Sequence, residues 1–226
     1  ESFTFNEIES TGVDAYVLVN RILTDEDLDR FVKLEIPKNV KGFLIEDTGL
    51  MCELTDKGYE LINFQNHLNN NYETINYWLD HFTSVVLSTD ITGQEIEEIL
   101  DYTTKPLVLQ VFAYPMVMYS RRTLTRNYLR HRGEVEKDHL DVAVPNADIH
   151  FKLRDNDYGT AVFDANLLDI RDFARNLDAE KIKFFLFDTQ FLTSDLVEAA
   201  LEGKSIENAT TGFIDKKTVY RVGDLK

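Results

Sequence analysis

Polar side chains directly follow most of the apolar runs in this sequence. Such positions often carry chemistry, because the carboxyl ends of parallel strands meet at one edge of a sheet or barrel. The polar residues concerned are Asn20-Arg21, Glu46-Asp47, Asn63, Gln65, Asn66, His67, Ser88-Thr89-Asp90, Gln110, Tyr119-Ser120-Arg121-Arg122 and Asp188-Thr189-Gln190. This set is the pool of candidate site residues.

Acid–base chemistry in this set would come from two carboxylates and one imidazole. Glu46 and Asp47 would act as metal ligands or as a general base, with Asn66 and His67 nearby. We take these four residues as the catalytic candidates. The simpler alternative for a polar turn between strand and helix is helix capping, which we prefer for Thr89 and Asp90.

Substrate binding would fall to amide, hydroxyl and guanidinium groups. The candidates are Asn20, Gln110, Tyr119, Ser120, Arg121 and Arg122. A guanidinium pairs with a carboxylate through two parallel hydrogen bonds, so the two arginines of this set suit an anionic group.

The formal net charge of −16 argues against nucleic-acid binding by this chain alone. Positive charge is nevertheless clustered in one stretch, which contains Arg121, Arg122, Arg126, Arg130, His131 and Arg132. Two interpretations stay open for it: a solvated helix face that offsets nearby acids, or a docking site for an anionic substrate or partner.

The single cysteine, Cys52, excludes an intrachain disulfide and a cysteine-ligated zinc or iron–sulfur site. We expect it to be packed rather than reactive. No apolar stretch is long enough for a transmembrane helix, so we predict no membrane partner and a cytoplasmic protein. No metal-binding, nucleophile or phosphate-binding motif of standard spacing occurs, and we predict no cofactor.

The elements that must position these residues alternate between apolar runs and amphipathic stretches. The apolar runs are Ala15–Val19, Gly42–Ile45, Glu60–Phe64, Ser84–Leu87, Leu107–Phe112 and Lys183–Phe187. Such continuous runs are typical of parallel strands that are buried on both faces. Thr92 and Glu95 predict a capping box at the start of one intervening helix.

This alternation predicts an α/β protein with a parallel (β/α) TIM-type barrel. Six barrel strands are apparent where a closed barrel needs about eight, so we expect one or two N-terminal βα units to be missing. An open or partial barrel is the alternative. We assign residues 1–129 to βα units of the barrel.

The pattern changes after Leu129. Residues 130–166 are predicted to form a small β-rich insertion, with a hairpin of Ile149–Leu153 and Thr160–Phe163 around an Asn/Asp/Gly turn. Residues 167–226 are predicted to hold a final βα unit, with a helix from about Ser194 to Glu202, and a short C-terminal strand at Lys217–Val222.

Several separated blocks give the chain a family resemblance. They are Val85–Thr92 with Glu95-Ile96, Gln110-Val111-Phe112, Tyr119–Leu124, Asn66–Asn71, and Thr211-Gly212-Phe213 with Lys217–Tyr220. The first block resembles the strand-and-helix unit of the collagenase-like peptidase family U32, and the second and third resemble its signature segment. The fourth resembles the asparagine-rich turn of that family and the last resembles its domain end. The Tyr119–Leu124 block is similar to that family's Tyr-Ser-Gly-Arg-Cys-Leu.

The resemblance implies a barrel fold and three candidate functions. Members of the family take part in prephenate-dependent hydroxylation of a tRNA wobble uridine, others act as a heterodimer in ubiquinone synthesis, and an older label is collagenase-type protease. Relatives with an iron–sulfur cluster use four cysteines. Here Thr123 stands at the signature cysteine, Arg121 at the glycine and Gln110 at the acid.

These departures make the chain similar to the short, cysteine-poor subunit of Gram-positive bacteria. The first hypothesis is therefore a subunit for 5-hydroxyuridine synthesis, which works with a cysteine-bearing paralogue and reaches tRNA through that partner. The second is a collagenase-type endopeptidase, and the third is a non-catalytic scaffold subunit.

Overall fold

A computed structural model describes residues 4–65 and 67–217 of the chain. Its strands are β1 (Ala15–Leu18), β2 (Val40–Ile45), β3 (Glu60–Asn63), β4 (Ser84–Val85), β5 (Leu107–Ala113), β6 (Met116–Ser120), β7 (His139–Ala143), β8 (His150–Asn156), β9 (Gly159–Asp164), β10 (Leu168–Asp169) and β11 (Ile182–Phe187). Its helices are α1 (Phe5–Thr11), α2 (Asp25–Phe31), α3 (Thr48–Leu54), α4 (Tyr72–Leu79), α5 (Gly93–Tyr102), α6 (Leu124–Arg132), α7 (Arg171–Ala174) and α8 (Ser194–Leu201).

The chain divides into two compact units. The first holds the residues up to Ser88 together with Ile99–Val108, and the second holds Thr89–Glu98 together with the residues from Leu109 onward.

The first unit is built on a parallel sheet with strand order β1-β2-β3-β4 among the described residues. Val17 pairs with Phe43 and Phe43 with Leu61, so the strands run in register with a helix after each. Val86 adds a parallel bridge to Val108. Gly42 is required in β2, because a Cβ atom there would lie 2.2 Å from the Glu60 carbonyl oxygen.

The core of the first unit lies between this sheet and its helices. Phe43 is fully buried at its centre, with edge-to-face ring contacts to Phe31 of α2 and Tyr59. The buried cluster around it comprises Val40, Phe43, Ile45, Leu50, Leu54, Leu61 and Phe82. Burial of these side chains stabilises the edge of the sheet at which the polar strand ends lie.

The second unit contains an antiparallel sheet with strand order β6-β9-β8-β7. The predicted hairpin is present as β8 and β9, and its turn is held by Asn156, whose Oδ1 accepts hydrogen bonds from the amides of Tyr158 and Gly159. Gly159 approaches β6 so closely that a Cβ atom would meet the Ser120 carbonyl oxygen at 2.0 Å.

Two strands of the antiparallel sheet, β6 and β7, were not predicted. In β7 the exposed residues alternate with the half-buried Leu140 and Val142. That two-residue period was present in the sequence, but the surrounding charged residues obscured it. In β6, Val117 and Met118 are both exposed, so the strand lacks the alternation by which sequence analysis finds a strand.

The predicted strands and the predicted capping box are otherwise confirmed. Every predicted strand within the described residues has its counterpart, and α8 ends beside Gly203, which has a left-handed φ of 77°. The amide and hydroxyl of Thr92 both donate to Glu95 Oε2, and the Glu95 amide donates back to the Thr92 hydroxyl. Most of the strand expected at Lys217–Val222 lies outside the described residues.

The fold is therefore a mixed α/β structure with one parallel sheet and additional sheets. A TIM-type barrel and the domain boundaries at 129 and 166 remain predictions. No helix in the described part of the chain is long and apolar enough to cross a membrane.

A buried arginine ties the end of α8 to β10 in the second unit. Arg171 is 8% exposed, and its Nε and Nη2 donate to the two oxygens of Asp169 at 2.8 and 2.6 Å. It also donates to the carbonyl oxygens of Ala200 and Lys204 at the end of α8. Burial raises the pKa of Asp169, but the hydrogen bonds and charge of Arg171 outweigh it and hold that pKa below its usual value.

Replacing Arg171 with Met should lower the free energy of unfolding by about 3–5 kcal/mol at neutral pH, because Asp169 is left buried without its cation. The loss should shrink as the pH falls towards about 4, the usual value for Asp, because Asp169 of the variant is then protonated. It should shrink further below the lowered pKa of wild-type Asp169, where protonation removes the ion pair from the wild type as well. Urea denaturation across this pH range measures both effects.

Arg175→Met is the matched control, since the ion pair of Arg175 with Asp172 is exposed. A loss for Arg171→Met no larger than that of the control would contradict the assignment.

Candidate functional site

The carboxyl ends of β1, β2 and β3 lie side by side at one edge of the parallel sheet. Arg21 follows β1, Glu46 follows β2 and His67 follows β3. Three segments that are distant in sequence therefore bring a guanidinium, a carboxylate and an imidazole to one place. We call Arg21, Glu46 and His67 the strand-end cluster.

Arg21 connects the three members of this cluster. Its Nε donates to Glu46 Oε1 at 2.5 Å, and its Nη2 lies 3.4 Å from His67 Nδ1. The side chains of Arg21 and Glu46 are only 14% and 8% exposed, so this ion pair is largely removed from water. A guanidinium can only donate, so the contact with His67 is a hydrogen bond when Nδ1 is the unprotonated ring nitrogen.

Burial raises the pKa of the Glu46 carboxyl, and the hydrogen bond and charge of Arg21 oppose this without cancelling it. A carboxyl whose pKa is raised in this way holds and releases a proton closer to neutral pH, as general acid–base catalysis requires. The backbone beside it is fixed, because Gln65 Nε2 donates to the Glu46 carbonyl oxygen at 2.7 Å.

Asp47 has a different task from Glu46. Its Oδ1 accepts a hydrogen bond from the Leu50 amide and so caps α3, and its Oδ2 accepts one from the Leu23 amide. Both oxygens are therefore engaged with backbone donors, which is the role of a helix cap rather than of a base.

The turn after β3 is held by two buried asparagines. Asn69 is fully buried, and its Nδ2 donates to Asn63 Oδ1 and to the Val86 carbonyl oxygen, both at 2.9 Å. Asn63 Oδ1 also accepts from the Gln65 amide. These contacts fix the loop that carries His67, while Asn66 lies outside the described residues.

The predicted substrate-binding residues fall into separate places. Asn20 is half-buried after β1 in the first unit. Gln110 of β5 is 3% exposed, and its Oε1 is buried without a hydrogen bond. Tyr119 Oη donates to the Tyr158 carbonyl oxygen, and Ser120 Oγ accepts from the Arg122 amide, so both take part in holding the antiparallel sheet and its loop.

Arg121 and Arg122 are exposed in the loop between β6 and α6, which we call the basic loop (residues 120–123). Neither forms an ion pair with a described residue. Arg21 follows Asn20 in the sequence and belongs to the polar strand-end residues, but it was not predicted as a catalytic or substrate-binding residue. Its charge complements Glu46, yet only the pairing of β1 with β2 shows that the two meet.

No group of three or more histidine, cysteine, aspartate or glutamate side chains that could hold a metal ion occurs among residues 4–65 and 67–217. Cys52 lies on α3 and is exposed, so the expectation that it would be packed is wrong. A four-cysteine iron–sulfur cluster does not fit a chain with one cysteine.

Replacing Arg21 with Met should raise the pKa of Glu46 further, because burial would then act without an opposing cation. The buried charge should also destabilise this variant in a pH-dependent way. The penalty should be absent below about pH 4.3, the usual value for Glu, and should grow until the pH passes the raised pKa.

A carboxyl-carbon NMR titration of Glu46 measures the shift, and urea denaturation measures the penalty. Arg30→Met serves as the control, since the Arg30 side chain is exposed in its pairs with Glu26 and Asp27. An unchanged Glu46 pKa in Arg21→Met would show that the ion pair does not control this carboxyl.

Comparison with known proteins gives one match. The sequence model of Peptidase family U32 matches residues 4–136, which is more than half of the chain. That range contains the strand-end cluster and the basic loop. No curated protein and no solved structure matches the chain.

Proposed function

Because the chain belongs to peptidase family U32, we propose that it is a subunit for 5-hydroxyuridine synthesis at the tRNA wobble position. In this proposal it works with a cysteine-bearing paralogue. The paralogue supplies the cysteine chemistry, for which the single cysteine of this chain is not sufficient. The observation that carries the proposal is the basic loop. There the Tyr119–Leu124 block resembles the family signature Tyr-Ser-Gly-Arg-Cys-Leu, and two exposed guanidiniums have no ion-pair partner among the described residues.

The basic loop differs from the rest of the positive cluster. Three arginines of α6 form ion pairs with acidic side chains. The pairs are Arg126–Asp157, Arg130–Glu136 and Arg132–Glu134. Arg121 and Arg122 have no such partner in the described part of the chain. In a chain of net charge −16, two unneutralised neighbouring guanidiniums are available to an anionic group on a ligand or partner.

The basic loop is also held rigidly. Asp155 of β8 is buried, and its oxygens accept hydrogen bonds from the amides of Thr125 and Arg126 at the start of α6. The Thr160 hydroxyl lies 2.8 Å from the Arg122 carbonyl oxygen and accepts from the Leu124 amide at 2.7 Å. A loop fixed at its carboxyl side loses little entropy when its side chains bind.

Thr123 stands at the signature cysteine and precedes α6 as its N-cap residue. Its side chain makes no capping hydrogen bond, because Asp155 already satisfies the first amides of the helix. The Thr123 side chain therefore has no capping role at the start of α6. This supports a subunit that does not carry out cysteine chemistry itself and that binds a ligand or partner through the basic loop. The partner subunit would carry out the cysteine chemistry.

Deletion of the gene should abolish 5-hydroxyuridine, and complementation with Arg121→Ala/Arg122→Ala should restore it to less than about a tenth of the wild-type level, because two charge-assisted contacts are lost. Mass spectrometry of tRNA nucleosides measures the product. Lys33→Ala/Lys38→Ala is the charge-matched control, since both lysines are exposed elsewhere.

The outcomes separate the hypotheses. Unchanged 5-hydroxyuridine after deletion, in a strain that has no second, redundant route to this nucleoside, would refute the role in tRNA modification. Full restoration by the double arginine variant would leave the protein in the pathway but as a scaffold, and would refute a binding role for the basic loop.

A collagenase-type endopeptidase is the second candidate, and the strand-end cluster is the observation that favours it. Glu46 combines a buried carboxyl, a raised pKa and a position at the ends of parallel strands. His67 lies within reach of the same guanidinium. Such a pair would activate water or protonate a leaving amine.

Peptidase activity of the purified chain on gelatin peptides should fall by about 100-fold or more in Glu46→Gln and in His67→Ala, the usual contribution of a general acid or base. Asp56→Asn, an exposed carboxylate in the turn after α3, is the control. Proteolysis that survives both substitutions would exclude the strand-end cluster as its catalyst.

A further inference from the structure

Several aromatic side chains lie together on the outside of the first unit. They are Tyr72, Tyr77 and Trp78 of α4, His81 just after that helix, and Tyr102 at the end of α5. We call these residues the aromatic surface. Tyr77 is 60% exposed and Tyr102 is 61% exposed, so the two rings are largely open to a partner.

Ring contacts arrange the aromatic surface in two groups. The Tyr77 ring packs edge-to-face against Trp78 at 5.2 Å and against His81 at 5.6 Å. The Tyr72 ring lies 5.1 Å from the Tyr102 ring. Each exposed tyrosine is therefore supported by a neighbouring ring, which limits the rotamers that its side chain can adopt.

Asn76 links the two groups. It lies beside Tyr77 in the chain and one helical turn after Tyr72. Its Nδ2 donates to the Tyr102 carbonyl oxygen at 2.9 Å, and its Oδ1 accepts from the Thr104 amide at 3.1 Å. These hydrogen bonds hold the end of α5 against α4, so the rings form one fixed surface that loses little entropy on binding.

The core of the first unit does not require the exposed rings. Ile75 and Leu79 are the buried residues of α4. Tyr77 lies two positions from each of them, so it points to the opposite side of the helix. Aromatic side chains that cluster at the surface in this way are typical of protein–protein interfaces.

Two exposed carboxylates border the aromatic surface. Glu73 and Asp80 lie on or beside α4, and neither forms an ion pair with a described residue. Glu73 suits the start of the helix, but Asp80 is its C-cap, where negative charge opposes the helix dipole. Lys105 is the lysine at this end of α4, and its Nζ instead donates to the carbonyl oxygens of Leu79 and Phe82.

Charge selects the kind of partner that this surface suits. The net charge of −16 opposes the approach of a second copy of the chain and of nucleic-acid phosphate. The face of a tyrosine ring attracts an arginine or lysine cation, and neighbouring carboxylates strengthen that attraction. None of the cation–π contacts within the described residues involves Tyr72, Tyr77 or Tyr102.

We propose that the aromatic surface, together with Glu73 and Asp80, binds an arginine- or lysine-rich segment of a partner protein. Cationic side chains of that segment would lie over the exposed rings of Tyr77 and Tyr102 and pair with the two carboxylates. This inference goes beyond the proposed function and does not rest on it, because it uses residues of the first unit that have no role in the basic loop.

Fluorescence anisotropy of a labelled peptide of alternating arginine and glycine, titrated with the full chain at constant ionic strength, tests the surface. We expect saturable binding that weakens about tenfold in Tyr77→Ala/Tyr102→Ala, the loss expected for two cation–π contacts. Tyr77→Phe/Tyr102→Phe should bind like the wild type, because it keeps both ring faces. Tyr128→Ala, which removes an exposed tyrosine of the second unit, should also bind like the wild type.

The carboxylates are tested separately. Glu73→Gln/Asp80→Asn should weaken binding of the arginine peptide about fivefold, the loss expected for two exposed charge pairs. Asp29→Asn/Glu53→Gln is the charge-matched control, since both acids are exposed on other helices of the first unit. Asp80→Asn alone should keep or raise the melting temperature, because it removes a charge that opposes the helix dipole.

Three results would overturn the proposal. The first is that the arginine peptide does not bind saturably, and the second is that folded Tyr77→Ala/Tyr102→Ala binds it like the wild type. The third is an equal loss for the charge-matched control and for Glu73→Gln/Asp80→Asn, which would show attraction to the acidic chain as a whole. This third comparison decides the question if the alanine variant does not fold.

Light scattering tests the alternative occupant. We expect the wild type and Tyr77→Ala/Tyr102→Ala to have the same mass in solution. A wild-type oligomer that this variant converts to a monomer would also overturn the proposal, because a second copy of the chain would then cover the aromatic surface.

Discussion

A carboxylate that is removed from water needs a cation close by, and Glu46 obtains one from Arg21. The parallel pairing of β1 with β2 makes this contact, because it places the residues that follow the two strands at the same edge of the sheet. Pairing of β2 with β3 then brings His67 to the same guanidinium. The geometry of the strand-end cluster thus depends on strand register, and the burial of Phe43 and its neighbours maintains that register.

A buried arginine holds part of the second unit together. The Arg171 guanidinium donates to both oxygens of Asp169 and to two carbonyl oxygens at the end of α8, so its charge is used in holding the fold. Because removal of either charge would leave the other buried without its partner, this ion pair constrains how α8 packs beside β10.

In the basic loop, hydrogen bonds hold the backbone while the arginine side chains are exposed. Asp155 and Thr160 satisfy the backbone around the loop, whereas the side chains of Arg121 and Arg122 are exposed and form no ion pair with any described residue. The basic loop lies within the residues that match family U32. The presence of Thr123 at the position of the signature cysteine supports the proposal that a second subunit carries out the cysteine chemistry.

The sequence by itself determined the local elements and the family. Continuous apolar runs marked the parallel strands, the Thr92–Glu95 pair marked a helix start, and the turn at Asn156–Gly159 marked a hairpin. These features depend on short-range periodicity and hydrogen bonding, which a sequence displays directly. The strands β6 and β7 were not predicted, because β6 has no regular alternation of buried and exposed residues and charged neighbours obscured the alternation of β7.

Only the tertiary structure decided which polar residues act together. Asp47 proved to be a helix cap, whereas its neighbour Glu46 is paired with Arg21, 25 positions away in the chain. Burial and pairing of side chains across strands are properties of the folded chain, so residue type and spacing cannot reveal them.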